Sequence, residues 1–162
     1  MQKITTNLWF DGKAEEAVNF YTTIFKNSKT GNVLRFGKEG FEFHGMPEGT
    51  VMTIDFEILG QHFVALNGGP QFKFNESISF IISCENQAEV DYYWEKLGEG
   101  GDENAKICGW LKDKYGVSWQ IVPSILYKFL KDKQKSASVM NVLLKMKKLD
   151  IAALQEAYDN KK

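Results

Sequence analysis

Apolar and polar positions first organise over Ile4–Phe10, a run rich in β-branched and aromatic residues that predicts a strand. Asp11-Gly12 breaks the run and offers helix-capping chemistry. From Lys13 to Phe25 the period changes. Ala14, Ala17, Val18, Tyr21 and Phe25 fall at helical spacing, and Glu15 and Glu16 stand in the first turn, where the helix dipole favours anions. The same order of signals then returns. Ser77–Cys84 is strand-like, Asn86 with Glu89 makes a cap, and Val90, Tyr93, Trp94 and Leu97 share one helical face. An offset of 72 residues sets Phe80 over Leu8, Ile82 over Phe10, Val90 over Val18, Tyr93 over Tyr21 and Leu97 over Phe25.

A second match has an offset of 56, with Val51–Asn67 over Ile107–Pro123, Gly60 over Gly116 and Phe63 over Trp119. Both segments read as two strands about a glycine turn, the later one with the charged connection Lys112-Asp113-Lys114-Tyr115. The chain is therefore an internal duplication of α+β modules. Asn67-Gly68-Gly69-Pro70 is a turn or linker between them, and Gly37–Gly49 reads as a mobile loop. After Pro123 the pattern becomes helical in Ile125–Leu130, Val139–Met146 and Ile151–Tyr158, with Ser138 and Asp150 as N-caps. One domain over residues 1–123 is expected, in modules 1–67 and 71–123, with the helices of 124–162 packed on it as structural parts.

Composition narrows the class. Twenty basic against 21 acidic residues leave a net charge of -1, without the basic footprint that nucleic acid or a membrane surface requires. No apolar run is long enough to span a bilayer, and MQKITTNLWF lacks the order of a secretory signal, so a cytoplasmic location is expected. The two cysteines, Cys84 and Cys108, are too far apart for a CxxC motif and read as reduced core residues.

Chemistry is sparser. Gly98-Glu-Gly-Gly101 has the composition of a cofactor loop, but such a loop follows a strand and opens a helix. Here the glycines follow a helix, so a glycine C-cap accounts for them and a methyltransferase site is not expected. Only two histidines are present, His44 and His62. Any two-residue turn at Gly60 puts Asp55 and Glu57 on one face with His62 and Val64. These three polar groups are either an acid–base or metal cluster or a solvated sheet face. Strand parity sends Leu8, Phe10, Phe80 and Ile82 beneath the helices and leaves Asn7, Trp9, Ser79 and Ile81 on the opposite faces. In the last strand Trp119 and Ile121 alternate with Ser118 and Gln120. A lining of Asn7, Trp9, Ser79 and Gln120 suits a small-molecule pocket, a dimer interface or a solvent-exposed face.

These residues resemble the vicinal-oxygen-chelate, or glyoxalase/bleomycin-resistance, superfamily. The segments LWFDGKAEEAVNFYTTIFKNSK, VMTIDFEILGQHFVALNGGPQFKFNESISF and CGWLKDKYGVSWQIVP are similar to its PhnB-like branch, which carries a 3-demethylubiquinone-9 3-methyltransferase domain name. The resemblance runs from about Ile4 to Pro123. It implies paired βαβββ modules in a half-open concave sheet, within a homodimer. Metal-dependent relatives place His or Glu ligands at positions that fall here near Asn7, Val64 or Ala65, Ser79 and Gln120, which make no ligand set for a transition metal.

The expectation is thus an α+β protein that binds an unidentified small molecule without a metal or cofactor, its cavity lined by Asn7, Trp9, Ser79, Trp110 and Gln120. One alternative is a divalent-metal lyase, isomerase or dioxygenase with a displaced site at Asp55, Glu57 and His62. Another is an interaction protein whose tail recruits a partner, marked by exposure of Val139, Val142, Leu143 and Met146.

Overall fold

The computed structural model describes residues 4–160. They divide into two compact units, the first ending at Phe74 and the second starting at Asn75.

The first unit comprises β1 (Thr6–Phe10), α1 (Ala14–Ile24), β2 (Lys29–Arg35), a short helix α2 (Phe41–His44), β3 (Val51–Ile58) and β4 (Gln61–Asn67). Its sheet has the order β1-β4-β3-β2, with β1 parallel to β4 and the other neighbours antiparallel. The predicted faces are seen. Leu8, Phe10, Phe63, Ala65, Ile54 and Phe56 are buried, as are Ala14, Ala17, Val18, Tyr21 and Ile24 of α1. Tyr21 stacks on Phe56, and Phe56 on Phe63. Each such large side chain contributes roughly 1.5–3 kcal/mol of burial before entropy is subtracted.

The cap of α1 differs from expectation. Neither Asp11 nor Gly12 caps it; Lys13 holds the N-cap position without a side-chain bond. Instead Asn67, at the end of β4, accepts from the Ala14 N–H at 2.9 Å and donates to the Val51 carbonyl at 3.0 Å. Asn67 is buried. It continues the Phe63, Ala65 face of β4, which carries it beneath the helix start. The Gly37–Gly49 segment contains one short helix. Gly40 and Gly45, with φ of +79° and +66°, frame α2, and the His44 ring lies on Phe36 at 4.5 Å.

The second unit repeats the plan with β5 (Phe80–Cys84), α3 (Gln87–Gly98), β6 (Trp110–Lys112) and β7 (Ser118–Pro123). The sheet order is β5-β7-β6, and β5 is parallel to β7. Where the first module has β2, the second has one 3-10 turn at Glu103–Ala105. The duplication is therefore βαβββ-like, with the second copy shortened. Asn86 caps α3 through the Glu89 N–H at 3.0 Å, and Glu89 reaches back to the Glu85 N–H.

Strand pairing corrects one offset. Thr6 pairs with Phe63 and Phe80 with Trp119. The hairpins thus correspond at 56 as read, but β1 corresponds to β5 at 74 rather than 72. A slip of two residues leaves every side chain on its own face, so periodicity does not distinguish the two values.

The tail forms α4 (Ile125–Lys131), α5 (Ser136–Leu143) and α6 (Ile151–Asp159). Asp150 caps α6 as expected, through the Ala153 N–H at 2.9 Å. Ser138 does not cap α5, because the helix starts earlier, at Ser136. Leu126, Phe129, Val139, Leu143, Leu149 and Leu154 form a buried cluster, joined by half-buried Val122, Met146 and Tyr158. Tyr158 stacks on Phe129 and donates to Asp132 at 3.0 Å. Among the described residues, no helix is long and apolar enough to cross a membrane.

The Asn67 cap yields a direct test. Asn67→Leu strips the Ala14 N–H and the Val51 carbonyl of their partner, and about 1–3 kcal/mol of stability should be lost. Urea unfolding measures it. A loss under about 0.5 kcal/mol, the size of an ordinary surface change, would show that α1 does not depend on this bond.

Candidate functional site

In each unit the helix occupies one face of the sheet, and the candidate residues lie on the other. In the second unit, Ile81 pairs with Gln120, Gln120 with Trp110, and Trp110 bridges to Ile107. These four side chains form a row across the sheet. Gln120 Nε2 donates to Ser79 Oγ at 2.9 Å. Ser79, Trp110 and Gln120, all singled out from the sequence, are therefore brought together. Ile81 and Ile107, at 64% and 58% exposed, end the row and were not singled out as lining residues. Ser118 lies two residues before Gln120, on the same side of β7; it is buried, and among the described residues its Oγ has no hydrogen-bond partner. Lys112, opposite Ser118, forms an ion pair with Glu76. The central row carries no charge.

Asp113 organises the hairpin that presents Gln120. Buried, it accepts from the Tyr115 and Val117 N–H groups at 2.9 and 3.0 Å through Oδ1, and from Trp119 Nε1 at 2.9 Å through Oδ2. In the sequence Asp113 is part of a charged connection, and an aspartate opening a turn is the signal for such backbone bonding.

In the first unit, Asn7 pairs with Val64 and Val64 with Asp55, while Trp9 pairs with Leu66 and Leu66 with Thr53. Asn7 and Trp9 thus share one sheet face with Asp55, Glu57 and His62. Asn7 is exposed and Trp9 half-buried. Trp9 Nε1 donates to the Gly69 carbonyl at 2.8 Å, and its ring meets Phe72 edge-on at 4.9 Å. A Cβ on Gly68 would lie 2.3 Å from that ring, so the glycine is needed for the indole to lie against the backbone.

The Gly60 hairpin has the register in which Glu57 faces His62 and Asp55 faces Val64. His62 Nε2 lies 3.6 Å from Glu57 Oε2, and Lys29 approaches the same oxygen at 3.3 Å. Asp55 turns to Asn32, which donates to it at 3.3 Å. Among the described residues no three His, Cys, Asp or Glu side chains converge as a metal site would require. Cys84 is buried, and burial, reinforced by Glu89 and Glu85, pushes its thiol up to about 12, which keeps it protonated and unreactive at neutral pH.

A family model for 3-demethylubiquinone-9 3-methyltransferase matches residues 2–122. The chain belongs to this family, a PhnB-like branch of the vicinal-oxygen-chelate superfamily. A solved PhnB protein from Bacillus cereus is 37% identical with a TM-score of 0.65, covering 75% of this chain and 99% of that one. Two more distant structures share the fold. Protein PA1353 from Pseudomonas aeruginosa is 19% identical, with a TM-score of 0.57, over 76% of this chain and 98% of its own. The fosfomycin resistance protein FosX from Listeria monocytogenes is 18% identical, with a TM-score of 0.51, over 80% and 97%. No curated protein gives a significant match.

The family name implies a methyl donor, and the residues present do not fit one at the glycine cluster. Gly98 ends α3, and the Gly101 N–H turns back to the Gly98 carbonyl at 3.2 Å. The backbone of Lys112 blocks any side chain at Gly101, whose added Cβ would lie 2.1 Å from the Lys112 carbonyl oxygen. These glycines serve chain packing. The metal positions of the superfamily fit no better. Ala65 turns to the buried helix side, leaving Asn7, Val64, Ser79 and Gln120, none of them a charged donor. Gln120 moreover spends an amide hydrogen on Ser79.

For the first unit, Gly68→Ala should displace the Trp9 indole and break its bond to Gly69. The expected cost is about 1–3 kcal/mol for overpacking. The Trp9 indole resonance should shift, and an unchanged resonance with unchanged stability would contradict the packing described.

Proposed function

We propose that this PhnB-like protein binds a small molecule, without a metal, on the sheet faces its helices leave open. Ser79, Trp110 and Gln120 carry the reading in the second unit, and Asn7 and Trp9 lie on the corresponding face of the first. The observation that supports it most is the Gln120–Ser79 hydrogen bond at 2.9 Å. It puts a neutral, half-buried donor–acceptor pair beside an indole, where metal-dependent members of the superfamily hold ligands. Such a pair orients a ligand through hydrogen bonds while the aromatic ring supplies contact area. It offers no group that titrates near neutral pH, so binding is favoured over acid–base chemistry.

A metal-dependent enzyme built on Asp55, Glu57 and His62 has weaker support, because Asp55 is engaged by Asn32 rather than by the Glu57–His62 pair. The tail-recruitment reading is likewise weaker. Val139 and Leu143 are buried, and Val142 and Met146 are half-buried.

A thermal-shift panel of aromatic, quinone-like and phosphonate compounds tests the proposal. A true ligand at a hundredfold excess over its Kd should stabilise the protein by about 2.7 kcal/mol. Gln120→Leu should abolish most of that gain. A broad panel that leaves the wild type unmoved would sink the proposal.

We also propose a homodimer. All seven residues of the edge strand β2 are exposed, Val33 and Leu34 among them, and an open edge strand favours pairing or cover. Light scattering should give twice the 18.5 kDa chain mass. A monomer mass at every concentration would rule this out.

A further inference from the structure

Trp110 follows a two-residue turn that is closed by its own backbone bonds and joined to β7 through the Gly109 carbonyl, which accepts from the Ile121 N–H at 2.8 Å, yet has an unfavourable residue at its centre. Ile107 and Trp110 exchange both backbone hydrogen bonds, at 3.1 and 2.8 Å, around Cys108-Gly109. Both central residues have positive φ, +50° for Cys108 and +83° for Gly109. That backbone is the one a tight right-twisted hairpin demands, and it normally selects Asn-Gly or Gly-Gly. Cysteine is a poor choice for the first position, since its Cβ crowds the backbone in the left-handed region.

The two central N–H groups of the turn are held by the tail. The Cys108 N–H donates to the Met146 carbonyl, and the Gly109 N–H to the Lys147 carbonyl, each at 2.8 Å. The segment Met146–Ile151 is in turn fastened at its other end. Gln87, the first residue of α3, donates to the Leu149 carbonyl at 3.1 Å and accepts from the Ile151 N–H at 2.9 Å. Lys148 pairs with Asp91 at 2.6 Å. Leu149 is buried, and a Cβ on Gly109 would meet its side chain at 3.1 Å. The segment is thus a strap between the start of α3 and the turn before β6.

We infer that this strap is a positioning element for the ligand-facing sheet, holding the strained Cys108-Gly109 turn and thereby Trp110. Its two carbonyls replace water on the outward N–H groups of the turn. Releasing them lets the turn relax toward a backbone that cysteine prefers, and Trp110, next in the chain, moves with it. Gln87 acts through the strap and is a positioning residue.

The inference rests on the reading of Trp110 as ligand-facing, but its test uses the ligand-free full chain. Failure here would leave the binding proposal standing, and a silent ligand panel would leave the strap standing. In Gln87→Ala, amide exchange at Cys108 and Gly109 should accelerate at least about tenfold, the equivalent of losing about 1.4 kcal/mol of protection. The Trp110 indole resonance should shift. Adding Cys108→Gly, which removes the crowded Cβ, should return the Trp110 resonance toward wild type even with the strap loosened. Lys148→Ala, at a half-exposed side chain, supplies a milder release if Gln87→Ala does not fold, with smaller changes in the same direction. Unchanged exchange in both release variants would overturn the strap. Faster exchange with a fixed Trp110 resonance, or a shift that Cys108→Gly leaves untouched, would overturn its positioning role.

Discussion

The parallel pairing of the first and last strands in each module is the constraint on which the structure turns. Parallel neighbours cannot be joined by a tight hairpin; the chain must leave the sheet and return. In both units it leaves through a helix and comes back by a hairpin. The seam closes with the same bond in each copy. Gly68 donates to the Phe10 carbonyl at 3.0 Å, and Ser124 donates to the Cys84 carbonyl at 2.8 Å. Because the helix takes one sheet face, the other face is left for side chains that no core requires. All the candidate residues lie on such faces.

The centre of the second unit's face is chemically quiet. The second unit carries there an amide and a hydroxyl that bond to one another. In the second unit charge is kept to the margin, where Lys112 meets Glu76; in the first, Asp55, Glu57 and His62 stand on the two central strands, and Lys29 approaches Glu57 from the edge strand. The buried thiol of Cys84 is held protonated. The Ser118 hydroxyl, which has no partner among the described residues, departs from this pattern, since a buried polar group without a partner costs about 1–3 kcal/mol. It sits beside the candidate site, where stability is often given up for function.

Local signals and distant bonds divide the work of defining each element. The capping motifs at Asn86 and Asp150 lie beside their own helices, and the sequence shows them. At α1 the cap is Asn67, separated by the whole first module, and at the β6 entrance the support comes from Met146 and Lys147 in the tail. Distant caps couple elements that local caps would leave independent.

The sequence by itself determined the duplicated plan through its residue offsets, the helix faces and the buried sides of β1, β5 and β7 through their period, and the shared face of Glu57 and His62 through the turn at Gly60. The helix faces and buried strand sides follow from repeats of 2 and 3.6 residues, which burial imposes on every sequence that folds this way. Tertiary structure alone decided the 74-residue correspondence of β1 and β5, the shortening of the second module, and α2 within the glycine-rich loop. It also decided which polar residues meet: Gln120 with Ser79, Asn67 with Ala14, and Gln87 with the strap. The physical reason is the same in each case. Burial is non-directional and writes a periodic signature along the chain, whereas a hydrogen bond depends on the exact approach of two groups that folding brings together from far apart in sequence.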